Sequence, residues 1–135
     1  MECWISIGSN EDRERHMELA RRELKRRFPD IRFSQEMETT PLLFRRTDPF
    51  SNQVACFHTT WSAAGLKECF KQIERMAGRL PADKALEVVR LDIDLLRYGS
   101  ELLKPDDWMR DYVRQGVTAL RSKLQQQDKS ELCDF

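Results

Sequence analysis

The segment Val88 to Leu96 contains Leu91-Asp92-Ile93-Asp94-Leu95, in which apolar residues and aspartates alternate with a period of two. That period belongs to a β-strand, whose successive side chains point to opposite faces. It predicts a strand over Val88 to Leu96, ended at Tyr98-Gly99, that puts Leu91, Ile93 and Leu95 on one face and Asp92 and Asp94 on the other. Aspartate is poor in strands. Two carboxylates on one face repel each other and are costly to bury unless a cation offsets them. Hard carboxylate oxygens are what Mg²⁺ selects, usually together with substrate phosphates. Two readings of the pair stand side by side: a metal site, or a solvated strand face whose acids pair with Arg90 or Arg97.

The other periodicities fix what this strand must pack with. Cys3 to Ile7 is a short apolar strand running into the turn Gly8-Ser9-Asn10. A helix follows, with Asn10 as its cap, acids at its start and Lys25, Arg26 and Arg27 at its end. Met17, Ala20, Leu24 and Phe28 give it one apolar face, and Pro29 stops it. Ile31 to Ser34 begins a second strand that runs to Thr39, Pro41 to Pro49 is a loop, and Gln53 to Trp61 is a third strand. Ser62 caps a second helix with the stripe Leu66, Cys69, Phe70, Ile73 and Ala77, ended by Gly78. Leu80 to Glu87 is loop-like. The last helix begins near Pro105-Asp106-Asp107 and carries Met109, Tyr112, Val113, Gly116, Val117, Leu120 and Leu124 on one side. Residues 1–124 form one domain, and 125–135 a polar C-terminal tail that frays. The order β-α-β-β-α-β-α implies an α+β, ferredoxin-like sandwich: a mostly antiparallel sheet flanked by helices.

Composition narrows the function classes. Lys and Arg number 23 and so do Asp and Glu, so no net field recruits nucleic acid or an anionic membrane. A phosphorylated substrate must be met by local basic groups. The four cysteines, Cys3, Cys56, Cys69 and Cys133, form no CxxC pair and fit no zinc module; they read as small residues in a reducing cytoplasm. The N-terminal segment has neither a basic region nor a long apolar run, so neither a signal peptide nor a membrane span is expected.

Three further clusters admit chemistry. Glu38-Thr39-Thr40-Pro41-Leu42, followed by Phe50-Ser51-Asn52, pairs an aromatic ring with an amide two residues on, which suits stacking and edge recognition of a flat heterocycle. From those residues alone, an ordinary core Phe50 and a turn-forming Asn52 are the readier reading. Glu74, with Gly78-Arg79, offers a nucleotide contact and a phosphate grip, or an ordinary charged helix end. Gly8-Ser9-Asn10 lacks both GxGxxG and Walker spacing, and His16 (read as a helix-surface residue) and His58 stand near no nucleophile.

Taken in order, these motifs resemble the 6-hydroxymethyl-7,8-dihydropterin pyrophosphokinase family. The resemblance runs from about Trp4 to Tyr98, with a weaker echo to Leu120. It rests on Ile5-Ser6-Ile7-Gly8-Ser9-Asn10 with Asp12-Arg13, on Glu38-Thr39-Thr40-Pro41, on Phe50-Ser51-Asn52, on Ile73-Glu74 with Gly78-Arg79, and on Leu91-Asp92-Ile93-Asp94-Leu95 with Tyr98-Gly99. Singly only the last is distinctive; jointly, in order and at suitable spacing, they are not a chance pattern. The resemblance implies transfer of pyrophosphate from ATP to the hydroxymethyl oxygen of a reduced pterin, with release of AMP. It implies two Mg²⁺ ions held by Asp92 and Asp94, a pterin pocket at Thr39, Leu42, Phe50 and Asn52, and nucleotide contacts at Glu74, Arg79 and Arg90. Asp92, Asp94 and Arg79 would carry the chemistry, and the partners would be small molecules, with neither nucleic acid nor membrane involved.

The chain departs from the family pattern between Leu80 and Arg90. Leu86 stands where a tryptophan is usual, and Val89 where an arginine precedes the acid pair; Arg90 next to it points to the other face of a strand. Pro105-Asp106 replaces a Pro-His pair, and Tyr112 and Arg114 stand where an arginine and a second pterin-stacking aromatic are usual. Lys84, Arg90, Arg97, Lys104 and Arg110 are the candidate replacements. The competing readings are a non-catalytic relative that binds pterin, nucleotide or a protein partner, and an α+β domain whose acid pair is only surface.

Overall fold

β1 (Glu2–Ser9) is buried on both faces from Cys3 to Ile7, and a strand of that kind belongs at the centre of a sheet. In the computed structural model, which describes residues 1–41 and 45–133 and the last helix's side chains as far as Lys123, β1 takes that place. It pairs antiparallel with β4 (Phe50–His58) on one side and β5 (Asp92–Tyr98) on the other. β2 (Arg32–Phe33) and β3 (Met37–Thr39) both pair with the outer edge of β4, and β6 (Glu101–Leu102) closes a hairpin with β5. The order is β2-β4-β1-β5-β6, with β3 beside β4, and every pairing is antiparallel. With its helices this is an α+β, ferredoxin-like sandwich, as the element order predicts.

The pleat sorts the strand residues between two cores. Cys3, Ile5, Ile7, Ala55, Phe57, Ile93 and Leu95 face α1 (Arg13–Arg27) and α2 (Ala63–Met76), which contribute Met17, Leu24, Leu66, Phe70 and Ile73. Trp4, Val54, Cys56 and Leu96 face α3 (Pro105–Trp108) and α4 (Asp111–Cys133), which contribute Trp108, Val113, Val117 and Leu120. Burial pushes the thiol of Cys3 up to about 11 and that of Cys56 to about 12, so both are inert core residues. On the α4 face the apolar cluster ends at Trp4 and Val54. The next positions along the same strands, Ser6, Gly8, Asn52, Asp94 and Asp92, are left to line a cavity. Among the described residues no helix is long and apolar enough to cross a membrane.

Several boundaries differ from the sequence reading. β5 starts at Asp92 rather than Val88, because Val89 is tied to the turn after β1: its N–H donates to Asn10 Oδ1 and its carbonyl accepts from Asn10 N. The second strand is two pieces, because the Ser34 hydroxyl accepts from Val54 N and interrupts the ladder. β4 runs from Phe50 to His58, and His58 N leaves the sheet to donate to Asp30 Oδ2. The last helix is two helices: Met109 N and Arg110 N close tight turns onto Asp106 and Asp107 carbonyls, and α4 restarts at Asp111. His16 is not a surface residue. It is 1% exposed, with Nδ1 2.6 Å from the Glu11 carbonyl. Leu96 is the extra residue of a bulge opposite Trp4 and Ile5, which aims Arg97 at the Trp108 ring.

α4 approaches the sheet through Gly116. A Cβ there would lie 2.8 Å from both Cβ and Cγ2 of Val54, a β-branched strand residue that has no room to retreat. Gly116→Ala is expected to cost about 1–3 kcal/mol by overpacking. Urea unfolding measures this, and Val54→Ala in the same chain should recover most of the loss.

Candidate active site

The site is built from rows across three strands. Asn52 of β4 and Asp92 of β5 both lie in register with Gly8 of β1, and Val54 and Asp94 both lie in register with Ser6. Strands are about 4.8 Å apart, so glycine at the middle of the first row leaves a floor roughly 10 Å wide between an amide and a carboxylate. The cavity above it has a volume of about 270 Å³ and is closed at its sides by Thr39, Phe50, Arg110 and Tyr112. Asn52 Nδ2 donates to Thr39 Oγ1 at 2.6 Å, which fixes the amide against β3. Phe50 and Asn52 therefore share one cavity with both aspartates. Leu42 lies outside the described residues.

The acids meet at a junction. Asp92 borders this cavity and two more: one of about 290 Å³ with Glu74, Arg79, Asp83 and Arg90, and one of about 360 Å³ with Lys67, Lys71, Asp94 and Lys104. Glu74 reaches β5 from α2, and its Oε2 accepts from Ile93 N at 2.8 Å. Desolvation by the surrounding protein, then the Asp94 and Glu74 carboxyls, push the Asp92 carboxyl up to about 8. Burial raises Glu74 as well. Lys104 Nζ donates to Asp94 Oδ1 at 2.9 Å, and that bond raises the lysine. Among the described residues no group of three or more His, Cys, Asp or Glu is disposed to hold a metal. The donor set present, two hard carboxylates open to adjoining cavities, suits Mg²⁺, which takes one or two carboxylates from a protein and completes its shell with water and phosphate.

The altered stretch from Leu80 to Arg90 is a pinned loop. Asn10, expected as a helix cap, instead lies 4% exposed beneath it; Asp12 is the cap of α1. Asn10 Nδ2 donates to the Glu87 carbonyl at 2.8 Å, and Oδ1 accepts from Val89 N at 2.7 Å. Arg46 ties the next loop to the same place through Glu87 Oε2, Glu11 and Asp48. Inside the loop, Asp83 accepts from Leu80 N and from Arg90 Nε, both at 2.9 Å, and the Arg90 guanidinium holds its carboxyl below the usual range. Asn10→Ala removes bonds between buried groups, so a loss of about 1–3 kcal/mol is expected. Hydrogen exchange at Val89 should quicken, because its N–H loses its acceptor.

Of the replacement cations, Arg90 lines the cavity of Arg79, Arg110 the cavity of Phe50, and Lys104 the cleft of the acid pair. Arg97 stacks on Trp108 instead, joined there by Arg114 at 4.3 Å from the ring centroid. Lys84 borders none of these three cavities. Sequence reasoning missed Ser6, Gly8, Asp107, Lys67 and Lys71 as lining residues, and it read Tyr112 as part of an apolar helix stripe. Tyr112 is half-buried against the α4 core while bordering the cavity of Phe50, and burial raises its hydroxyl. The sequence carries two signals of it: its place on the stripe one turn before Gly116, and its match, with Arg114, to the positions where the resemblance expects an arginine and a second pterin-stacking aromatic.

The family described as "7,8-dihydro-6-hydroxymethylpterin-pyrophosphokinase (HPPK)" matches residues 4–122. No curated protein matches the sequence. Among solved structures the chain is similar to a divalent cation tolerance protein (Cut A1) from Thermus thermophilus, at 16% identity and a TM-score of 0.38, covering 82% of this chain and 97% of that one. It is also similar to LFR1 1, a de novo designed protein with a ferredoxin fold, at 11% identity and a TM-score of 0.32, covering 75% and 90%. With 119 of its 135 residues spanned by that one family (4 through 122), the chain belongs to the 7,8-dihydro-6-hydroxymethylpterin pyrophosphokinases.

Proposed function

We propose that the protein transfers the pyrophosphoryl group of ATP to the hydroxymethyl oxygen of a reduced pterin and releases AMP. The observation that carries this reading is the position of Asp92, which borders the aromatic cavity, the arginine cavity and the lysine cleft together. An acceptor seated in the first and a nucleotide lying across the other two meet at its carboxylate. Phe50 and Tyr112 bring aromatic rings to the cavity for a flat heterocycle, the Tyr112 ring carrying the Arg110 guanidinium 4.9 Å from its centroid, while Asn52 offers an amide to the polar edge and Gly8 the open floor beneath. Arg79 and Arg90 face the phosphate side, and Glu74 holds the β5 backbone where the two substrates meet. Asp92 and Asp94 would hold Mg²⁺, with two ions expected. When bound, the ions supply charge neutralisation and alignment of the phosphates.

The test is AMP release from Mg-ATP and 6-hydroxymethyl-7,8-dihydropterin. Pterin-dependent AMP is expected, and its absence above the level of an Asp92→Ala, Asp94→Ala double variant would sink the catalytic reading. Thermal stabilisation by pterin without turnover would instead favour a binding protein built on the same site.

A further inference from the structure

The acid pair carries a counter-charge on a short tether. Lys104 closes the β5–β6 hairpin, and its backbone is held on both sides: its N–H donates to the Leu96 carbonyl at 3.3 Å, and its carbonyl accepts from Trp108 N at 2.9 Å. Pro105 follows as the first residue of α3 and stiffens the exit. From this anchored position the ammonium reaches Asp94 Oδ1 at 2.9 Å. Asp94 is 26% and Lys104 45% exposed at the side chain, and a pair that open adds little to folding stability. Its effect falls on the site instead. An ammonium hydrogen-bonded to Oδ1 occupies a lone pair that a metal would use, and its charge repels an approaching cation.

We propose that Lys104 is a tethered counter-cation that competes with the divalent metal for Asp94 and yields it when metal and phosphate arrive together. This rests on Asp92 and Asp94 being the metal ligands. Phosphate supplies the condition for release. Lys104 lines one cleft with Lys67, Lys71 and both aspartates, so a polyphosphate there gives the displaced ammonium a second anionic partner. Metal and nucleotide then bind with positive coupling, and each raises the affinity for the other by the same factor. The residue so assigned sets the order of loading; it need not touch the reacting atoms.

Mn²⁺ binding, followed by electron paramagnetic resonance, tests this without turnover. Free Mn²⁺ is titrated into the native chain, Lys104→Met, Lys104→Arg, and an Asp92→Asn, Asp94→Asn double variant, with and without a methylene-bridged ATP analogue. Without nucleotide, Lys104→Met is expected to bind Mn²⁺ about tenfold more tightly than the native chain, and Lys104→Arg to stay close to native. With the analogue present, the advantage of Lys104→Met should shrink to about twofold or less. Equal or weaker Mn²⁺ binding by Lys104→Met, or tightening in Lys104→Arg as large as in Lys104→Met, overturns the proposal and leaves the acid pair as the metal site. Mn²⁺ binding that survives in the double variant overturns the metal reading itself, and the proposal with it.

Discussion

Asp92→Asn is expected to abolish pterin-dependent AMP release while making the metal-free protein more stable. The loss of rate should be at least about a hundredfold, the scale for removing one preorganised electrostatic contact from a group-transfer site. The gain in stability follows from the carboxyl's surroundings. Its ordinary value near 3.8 is pushed up to about 8 by desolvation and by Asp94 and Glu74. Between those two pH values the folded chain holds a proton that the unfolded chain has released. The native protein therefore loses stability as pH rises from 3.8 towards 8, and the loss levels off above 8. The amide that replaces this carboxyl in the variant cannot ionise, so the decline should be missing from its profile. Because Asp92 is open to cavity water, screening limits the gain near pH 8 to about 1 kcal/mol. Asp83 and Glu23, both held low by arginines, lose their contributions in acid and do so equally in both proteins. The measurement is the difference in melting temperature between native and variant across pH 4 to 9 in chelator. A flat difference would show that Asp92 is ionised throughout in the folded state. Adding Mg²⁺ should stabilise the native chain only, and more strongly at higher pH, since the metal binds the deprotonated carboxylate.

Tyr112→Ala should raise the KM for pterin by about tenfold to a hundredfold, the range seen when a stacking aromatic is removed beneath a nucleobase-sized ring. The KM for ATP should change little, because Tyr112 borders the cavity of Phe50 and neither of the other two. Tyr112→Phe keeps the ring face and should stay within a few-fold of native. This control matters because Tyr112 also packs against the α4 core, so truncation alone could loosen the helix. If Phe and Ala variants are equally impaired in pterin binding, the hydroxyl matters and the ring does not. Steady-state kinetics with each substrate varied in turn decides between them.

Two aspects of the site resisted the sequence for different reasons. Tyr112 lies on a helix stripe with Val113, Gly116 and Val117, and helical period cannot distinguish a residue that packs under the helix from one that overhangs the end of the sheet. The difference is made by where α4 stops covering the strands, which depends on Gly116 docking on Val54. The loop from Leu80 to Arg90 misled in the opposite direction. Val88 and Val89 look like strand, but the Asp83 carbonyl takes the N–H of Val88, and Asn10, far away in sequence, takes both backbone groups of Val89.

The Asp92-x-Asp94 alternation by itself determined that two carboxylates share one face of a strand, because side chains on a strand alternate whatever surrounds them. The apolar periods likewise determined which faces of α1 and α2 are buried, and the order of elements determined the class of fold. Only the tertiary structure decided what the carboxylates face. Register across β4, β1 and β5 sets Asn52 and Asp92 on either side of Gly8, and the hairpin after β5 brings Lys104 onto Asp94. Pairing register and the end of a covering helix are set by contacts between residues distant in the chain, and no local pattern encodes them.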